Sequence, residues 1–492
     1  MIGLLAQATQ ALATPRVEFA PILPELILAG TGIVVLLAGA VLRRVDPSAL
    51  LFLALAGVVG AAAASLPLWN WDGNLTALAG TVAVDRLGVV VRLLLLGTAA
   101  IGLLYGHHYF ERSREERPEF AALLLFATSG MTLFAVASDL IVAFLALEIL
   151  SLSLYVLTGF SLRSGSVEAA MKYFLLGAFS SAFFLFGIAF AYGATASTRL
   201  GAISNALAGQ TGSQALALTA MGLLAVGFAF KVSAVPFHMW TPDVYQGAPT
   251  AVTAFMSAGT KVAAFAALMR VLNVALQPLT WDWRPIVWAL AAISVVAGAV
   301  FAIAQTDLKR LLAYSSISHA GFVLMGLTAA GETGISAALY YLVAYAITIL
   351  GAFGVVMLVS SRGEERTSLS SYAGLARRSP VLAGLLTVFL LSLTGIPPTA
   401  GFIAKIEVFR AALDAGYWGL VLVGVLASVV AASFYLRVVV LMFMREPEGD
   451  EEPDPTTMPR LVVAVPATLV LVFGLFPGLI LGFLDQAAVL RW

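Results

Sequence analysis

The chain has 492 residues, of which 61% are hydrophobic and only 11% charged, and its mean hydropathy of +0.97 sets it far from the roughly 45–50% apolar content of a soluble globular protein. Its 27 basic and 27 acidic residues cancel, so no net field attracts nucleic acid, and the placement of the charges carries the information instead. Cysteine is absent, which excludes disulfides, thiolate metal sites, iron-sulfur clusters and covalently attached haem.

The first residues, MIGLLAQATQ, lack the basic region of a secretory signal, and residues 24–42 read as a retained span. A bilayer core of about 30 Å calls for about 20 apolar residues per crossing. That template predicts spans 1 to 14, centred near Ile33, Val59, Leu95, Thr128, Leu150, Gly177, Gly227, Phe265, Val295, Ser318, Ala346, Leu393, Gly424 and Phe473. Every second loop is basic, with Arg43 and Arg44; Arg112, Arg114 and Arg117; Arg163; Lys309 and Arg310; Arg362, Arg366, Arg377 and Arg378; and Arg445 and Arg460. The remaining loops and the tails carry only Arg16, Arg199, Arg284 and Arg491. The positive-inside rule therefore puts the first set in the cytoplasm and both termini outside. Trp69, Trp71, Trp281, Trp283 and Trp418 then read as anchors at the outer interface. Asn74-Leu75-Thr76 is a weak match to a glycosylation acceptor. The acidic run 446–455, with its three prolines, reads as a solvated linker. No dinucleotide fingerprint, Walker loop or metal-ligand spacing is present.

Four of the five lysines, Lys172, Lys231, Lys261 and Lys405, fall inside predicted spans, where a charge costs at least about 2.5 kcal/mol. Lysine, unlike arginine, loses its proton when desolvated, so an amine at such a place can carry one. Glu148 stands nine residues past Asp139 in span 5, about 14 Å deep at about 1.5 Å per residue. An acid there marks function or an interhelix salt bridge, and either needs a basic partner. Lys231 lies five residues before Pro236 in span 7, where the proline breaks the backbone ladder in the way transporters build ion sites. Lys261, twelve residues after Pro249, is about 18 Å into span 8, too deep to snorkel. Lys172, near the cytoplasmic end of span 6, is within snorkelling reach. Span 12 is interrupted at Pro397-Pro398, between Gly395 and Gly401, with Lys405 seven residues on. His319 in span 10 either bridges Lys261 and Lys405 as a proton carrier or joins Ser315, Ser316 and Ser318 in a hydrogen-bonded packing site. His107 and His108 read as interfacial, and His238 closely follows Pro236.

The expected fold class is an all-α polytopic membrane protein, a single membrane domain over 1–492 with about 14 transmembrane helices. Spans 4–8 (119–275) and spans 9–13 (284–444) form two inverted five-helix repeats, with broken helices 7 and 12 at matching places.

Long stretches of the chain, MKYFLLGAFSSAFFLFGIAFAYGATASTRL, FKVSAVPFHMWTPDVYQGAPTAVTAFMS followed by GTKVAAFAALMR, QTDLKRLLAYSSISHAGF and SLTGIPPTAGFIAKIEVF, resemble the antiporter-like membrane subunits of respiratory complex I, the proton-pumping NADH-quinone oxidoreductase. The resemblance implies that Glu148, Lys231, Lys261 and Lys405 occupy the proton-handling positions of that family. Lysine rather than glutamate at 405 separates the chain from the M type. The end at Trp492, without a lateral helix, separates it from the L type and favours the N type. Phe322 stands where many relatives are expected to have tyrosine. The resemblance further implies no cofactor on this chain, with NADH, FMN, iron-sulfur clusters and quinone on other subunits. It implies M-type and K-type membrane neighbours, the lipid bilayer of a bacterial plasma membrane, and no nucleic acid. A subunit of a multi-subunit sodium/proton antiporter shares this fold and much of the motif set, whereas a haem or quinone-binding anchor would need paired histidines that the spans do not offer.

Overall fold

The computed structural model describes residues 18–42, 46–73, 76–113, 115, 117–210, 213–360, 365–447, 454 and 456–490. Within them run helices α1 (Leu23–Val41), α2 (Pro47–Ser65), α3 (Arg86–Ser113), α4 (Pro118–Val136), α5 (Leu140–Thr158), α6 (Ser164–Thr195), α7a (Gln214–Val232), α7b (Trp240–Gly247) and α8 (Thr250–Arg270). They continue with α9 (Thr280–Ile303), α10 (Leu308–Leu327), α11 (Gly331–Val359), α12a (Pro380–Thr394), α12b (Ala400–Asp414), α13 (Trp418–Met444), α14 (Thr457–Leu475) and α15 (Gly478–Ala487). Twelve helices among the described residues are long and apolar enough to cross a membrane. The protein is an all-α polytopic membrane protein, and the one small sheet among the described residues is a hairpin of Thr76–Ala77 against Val82–Ala83.

Every residue of α8 is buried, and α11 is buried over nearly its whole length. A helix buried on every side touches neither solvent nor lipid, so these two form the axis of the bundle, packed against each other. Two ion pairs tie the bundle together, one joining the outer helices α1 and α3 and the other joining the start of α3 to α8. Arg92 of α3 grips Glu25 of α1 through two hydrogen bonds of 2.8 and 3.1 Å, and Arg270 of α8 grips Asp85 with two of 2.6 Å. Both arginines are buried, and the bidentate geometry offsets the loss of hydration.

Both segments expected to break do so, each stopping at a left-handed residue shortly before a proline. α7a ends at Ser233, which is left-handed (φ 64), and Ala234 N–H returns to Ala229 carbonyl at 2.8 Å. α12a ends at left-handed Gly395 (φ 84), with Ile396 N–H on Leu391 carbonyl at 3.0 Å. Both stops follow the Schellman pattern, which leaves the last carbonyls free for other donors. α12b then folds back so closely that a Cβ on Gly401 would stand 1.8 Å from the Ser392 carbonyl.

Two loop clasps share one design. Asp139 caps the start of α5 and accepts from Thr198 Oγ1 at 2.6 Å, while Leu140 N–H bonds Thr198 carbonyl at 2.9 Å and Leu200 N–H bonds Ser138 carbonyl at 2.9 Å. Five helices later Asp307 caps α10 and accepts from Thr367 Oγ1, while Leu308 N–H bonds Thr367 carbonyl at 2.6 Å and Leu369 N–H bonds Thr306 carbonyl at 2.8 Å.

Arg16, Arg43, Arg44, Arg114, Arg362, Arg491, Asn74, Leu75 and most of the acidic run lie outside the described residues. Asp454 of that run corrects the expectation of a merely solvated linker. Its carboxylate is buried and accepts from Arg112 at 2.6 Å, contacts His108 Nε2 at 2.7 Å, and its carbonyl holds Arg460. The linker is thus tied to the end of α3.

Candidate functional site

Lys231 occupies the last turn of α7a and is 3% exposed. Its Nζ donates to Ser151 Oγ of α5 at 2.7 Å, and Ser151 hydrogen-bonds the Leu147 carbonyl. The rings of Tyr155, Tyr173 and Phe230 stand 5.9, 5.8 and 5.9 Å from the amine, a distance at which an aromatic face attracts a cation. Glu148 is one turn before Ser151 on the same face of α5 and is only half-buried. It accepts from Ser181 Oγ of α6 at 2.5 Å. Glu148 and Lys231 make no direct ion pair; Ser151 stands at the amine in its place.

Lys261, 2% exposed in the middle of α8, donates to the Val232 carbonyl at 2.9 Å. Val232 is the last residue of α7a, so Lys231 and Lys261 meet at one helix end. Lys405 of α12b repeats this contact, donating to the Thr394 carbonyl at the end of α12a at 2.7 Å and to Ser428 Oγ of α13 at 3.1 Å. A helix C-terminus concentrates unpaired carbonyls and the negative end of the macrodipole, a favourable place for an ammonium. Phe322, in the place of an expected tyrosine, lies with its ring 4.9 Å from the Lys405 amine and stacks on Tyr341.

His319, 6% exposed, contacts tyrosines rather than lysines: Nδ1 with Tyr341 Oη at 2.7 Å and Nε2 with Tyr435 Oη at 3.3 Å. Tyr435 in turn meets Ser315.

Lys172 is at the surface, paired with Glu168 at 2.8 Å and Asp243 at 2.9 Å, in keeping with a side chain that reaches outward. The residue missed by the sequence reading is Lys309, counted there as a loop cation. Its side chain is fully enclosed, donating to Ala248 carbonyl at 2.6 Å and to Glu365 at 2.7 Å. Glu365 also accepts from Thr250 N–H at 2.7 Å and Tyr109 Oη at 2.8 Å. Burial pushes the Glu365 carboxyl up, but the Lys309 charge and these donors outweigh it and hold it below the usual carboxylate range. The one available signal was that lysine is so scarce here that a fifth deserved the question asked of the other four. Among the described residues no group of three His, Cys, Asp or Glu is placed to hold a metal.

Residues 137–431 match the family described as NADH:quinone oxidoreductase/Mrp antiporter, TM, so the bundle with its interrupted helices is a membrane protein of the antiporter-like class. The chain is 44% identical to NADH-quinone oxidoreductase subunit N 3 of Streptomyces griseus, covering 96% of this chain and 95% of that one. A chain of respiratory complex I from Thermus thermophilus with bound aureothin superposes with a TM-score of 0.81 at 39% identity, covering 94% of this chain and 100% of that one. The chain belongs to the NADH-quinone oxidoreductase subunit N family, and so is a component of that enzyme. The Mrp complex from Dietzia sp. DQ12-45-1b contains a chain of the same fold, with a TM-score of 0.84 over 96% of this chain and 97% of that one at 20% identity.

Proposed function

We propose that the chain moves protons from the cytoplasm to the outer side of a bacterial plasma membrane through Glu148, Lys231, Lys261, His319 and Lys405, coupled to quinone reduction in other subunits. The observation that carries this reading is the repeated contact of a buried lysine with the freed last carbonyl of an interrupted helix, Lys261 on Val232 and Lys405 on Thr394. Such contacts give a desolvated amine a partner that does not itself take up a proton, so each lysine can be loaded and emptied without dismantling the helix.

In this scheme Glu148 is the switch. At about 4 Å a carboxylate and an ammonium attract by about 4 kcal/mol at an effective dielectric of 20. A Glu148 that displaces Ser151 and closes on Lys231 therefore holds a proton there, and one that withdraws to Ser181 releases it toward Lys261. The imidazole of His319, with Tyr341, Tyr435 and Ser315 around it, joins Lys261 to Lys405.

The domain plan belongs to the same proposal. Spans 4–8 and 9–13 act as inverted repeats, supported by the clasps at Asp139 and Asp307, which are separated by an odd number of crossings and so face opposite sides. The basic loops support a cytoplasmic side at the Asp307 clasp. NADH, FMN, iron-sulfur clusters and quinone sit on other subunits, and M-type and K-type chains flank this one.

The test is NADH-driven proton uptake by vesicles containing the assembled complex. Glu148→Ala and Lys231→Ala should each lose most of the proton uptake per NADH oxidised while the complex still assembles. Uptake per NADH equal to wild type in either variant would overturn the scheme.

A further inference from the structure

We propose that a crevice between α3, α11, α14, α15 and the turn Leu66–Asn70 that follows α2 binds an anionic phospholipid, with one acyl chain in the crevice and the phosphate on Arg86. The cavity measures about 630 Å³ and is walled by apolar side chains, among them Leu94, Ile101, Ile347, Leu469 and Phe483. It follows α3 from Val89 to Ile101, about 18 Å at about 1.5 Å per residue, which is close to one leaflet's share of a hydrocarbon core about 30 Å thick. Gly97 borders the open slot, since a Cβ there would meet no atom within 4 Å.

The polar groups gather at one end. Arg86 opens α3 one turn before Val89 and is half-buried. Its Nη1 donates to Gln486 Oε1 of α15 at 3.1 Å and its Nε to the Trp69 carbonyl at 3.4 Å, with the guanidinium 5.2 Å from the Trp69 ring. The neighbouring acids are engaged elsewhere: Asp85 is taken by Arg270, and Asp485 accepts from Ser336 Oγ at 2.5 Å. Among the described residues no carboxylate pairs with Arg86. A guanidinium binds phosphate through paired N–H donors, and Trp69 has the amphipathic ring that suits a headgroup boundary. A soluble anion would leave the apolar slot unfilled, and a quinone tail would leave the cation unanswered. An anionic lipid satisfies both, and the site stands independently of the proton path.

The probe is a phosphatidylglycerol carrying a photoreactive diazirine in one acyl chain, compared with a phosphatidylcholine bearing the same chain. Each is incorporated into vesicles with the assembled complex, and the labelled peptides are mapped by mass spectrometry. Phosphatidylglycerol should label the 89–101 segment of α3 at least fivefold more than phosphatidylcholine does. Arg86→Gln should bring the two to the same level, Arg86→Lys should retain the preference, and Gly97→Phe should remove the label from both lipids. Labelling of Phe174 and Phe179, exposed on α6, serves as the reference for folding and should not change. Equal labelling by the two lipids in the wild type, a signal indifferent to Gly97→Phe, or displacement of the label by added quinone would overturn the proposal.

Discussion

Lys309 is the most completely enclosed of the five lysines, with no exposed side-chain surface, and its charge is answered by Glu365 and the Ala248 carbonyl. Removing one member of a buried pair strands the other, at a typical cost of about 3–5 kcal/mol, whereas replacing both with apolar groups is often neutral. Lys309→Met or Glu365→Leu alone should therefore lower the melting temperature of the purified complex or impair its assembly, and the double variant should recover most of the loss. The pH dependence follows from the depressed Glu365 carboxyl. Its contribution is complete above the ordinary value of 4.5 and is lost as pH falls through its lower folded value, so thermal scans of wild type and Glu365→Gln should converge on acidification. The pair was invisible in the sequence because Glu365 arrives from a polar loop 56 residues away, and no local pattern announces that this loop covers the first turn of α10. The burial of Lys231, Lys261 and Lys405 was legible for the opposite reason: each stands in a predicted span, where the surrounding residues are mostly apolar.

At the scale of the element, the two breaks carry the site, and their positions could be read from Pro236 and from Pro397-Pro398. Where the freed carbonyls point could not be read, because that depends on which lysine the neighbouring helices bring to them. Gly401 shows the limit well. It sits at an unremarkable helical position, yet it is required because α12b runs against the Ser392 backbone. Gly401→Ala should push α12b away, draw Lys405 off the Thr394 carbonyl, and reduce proton uptake by the complex along with its thermal stability. Gly384→Ala in α12a, where a Cβ meets nothing within 4 Å, should leave both unchanged. Gly395→Ala should fall between them, since a left-handed residue with a Cβ costs about 1–2 kcal/mol and that Cβ would stand 2.7 Å from Lys405 Cδ.

Across the whole molecule, the apolar runs were enough to reveal an all-helical membrane bundle, since length and hydropathy are local properties. The clasps were not, because each joins residues some 60 positions apart through two short, commonplace patterns, Ser/Thr-Asp-Leu and Thr-x-Leu. Their placement is open to test because the chain has no cysteine. Single cysteines at Gln210, ten residues past the first clasp, and at Ser370, next to Leu369 of the second, both exposed, should react with a membrane-impermeant maleimide from opposite sides, Ser370→Cys from the cytoplasm. Reaction of both from the same side would show that the halves are not inverted. If a fastening recurs upside down, the framework itself has no preferred direction, since turning it over reproduces it. One-way traffic must then be written in the handful of places where the halves disagree: an amine on a hydroxyl one turn from an acid in one, an amine on a hydroxyl and a freed carbonyl beside a phenyl ring in the other.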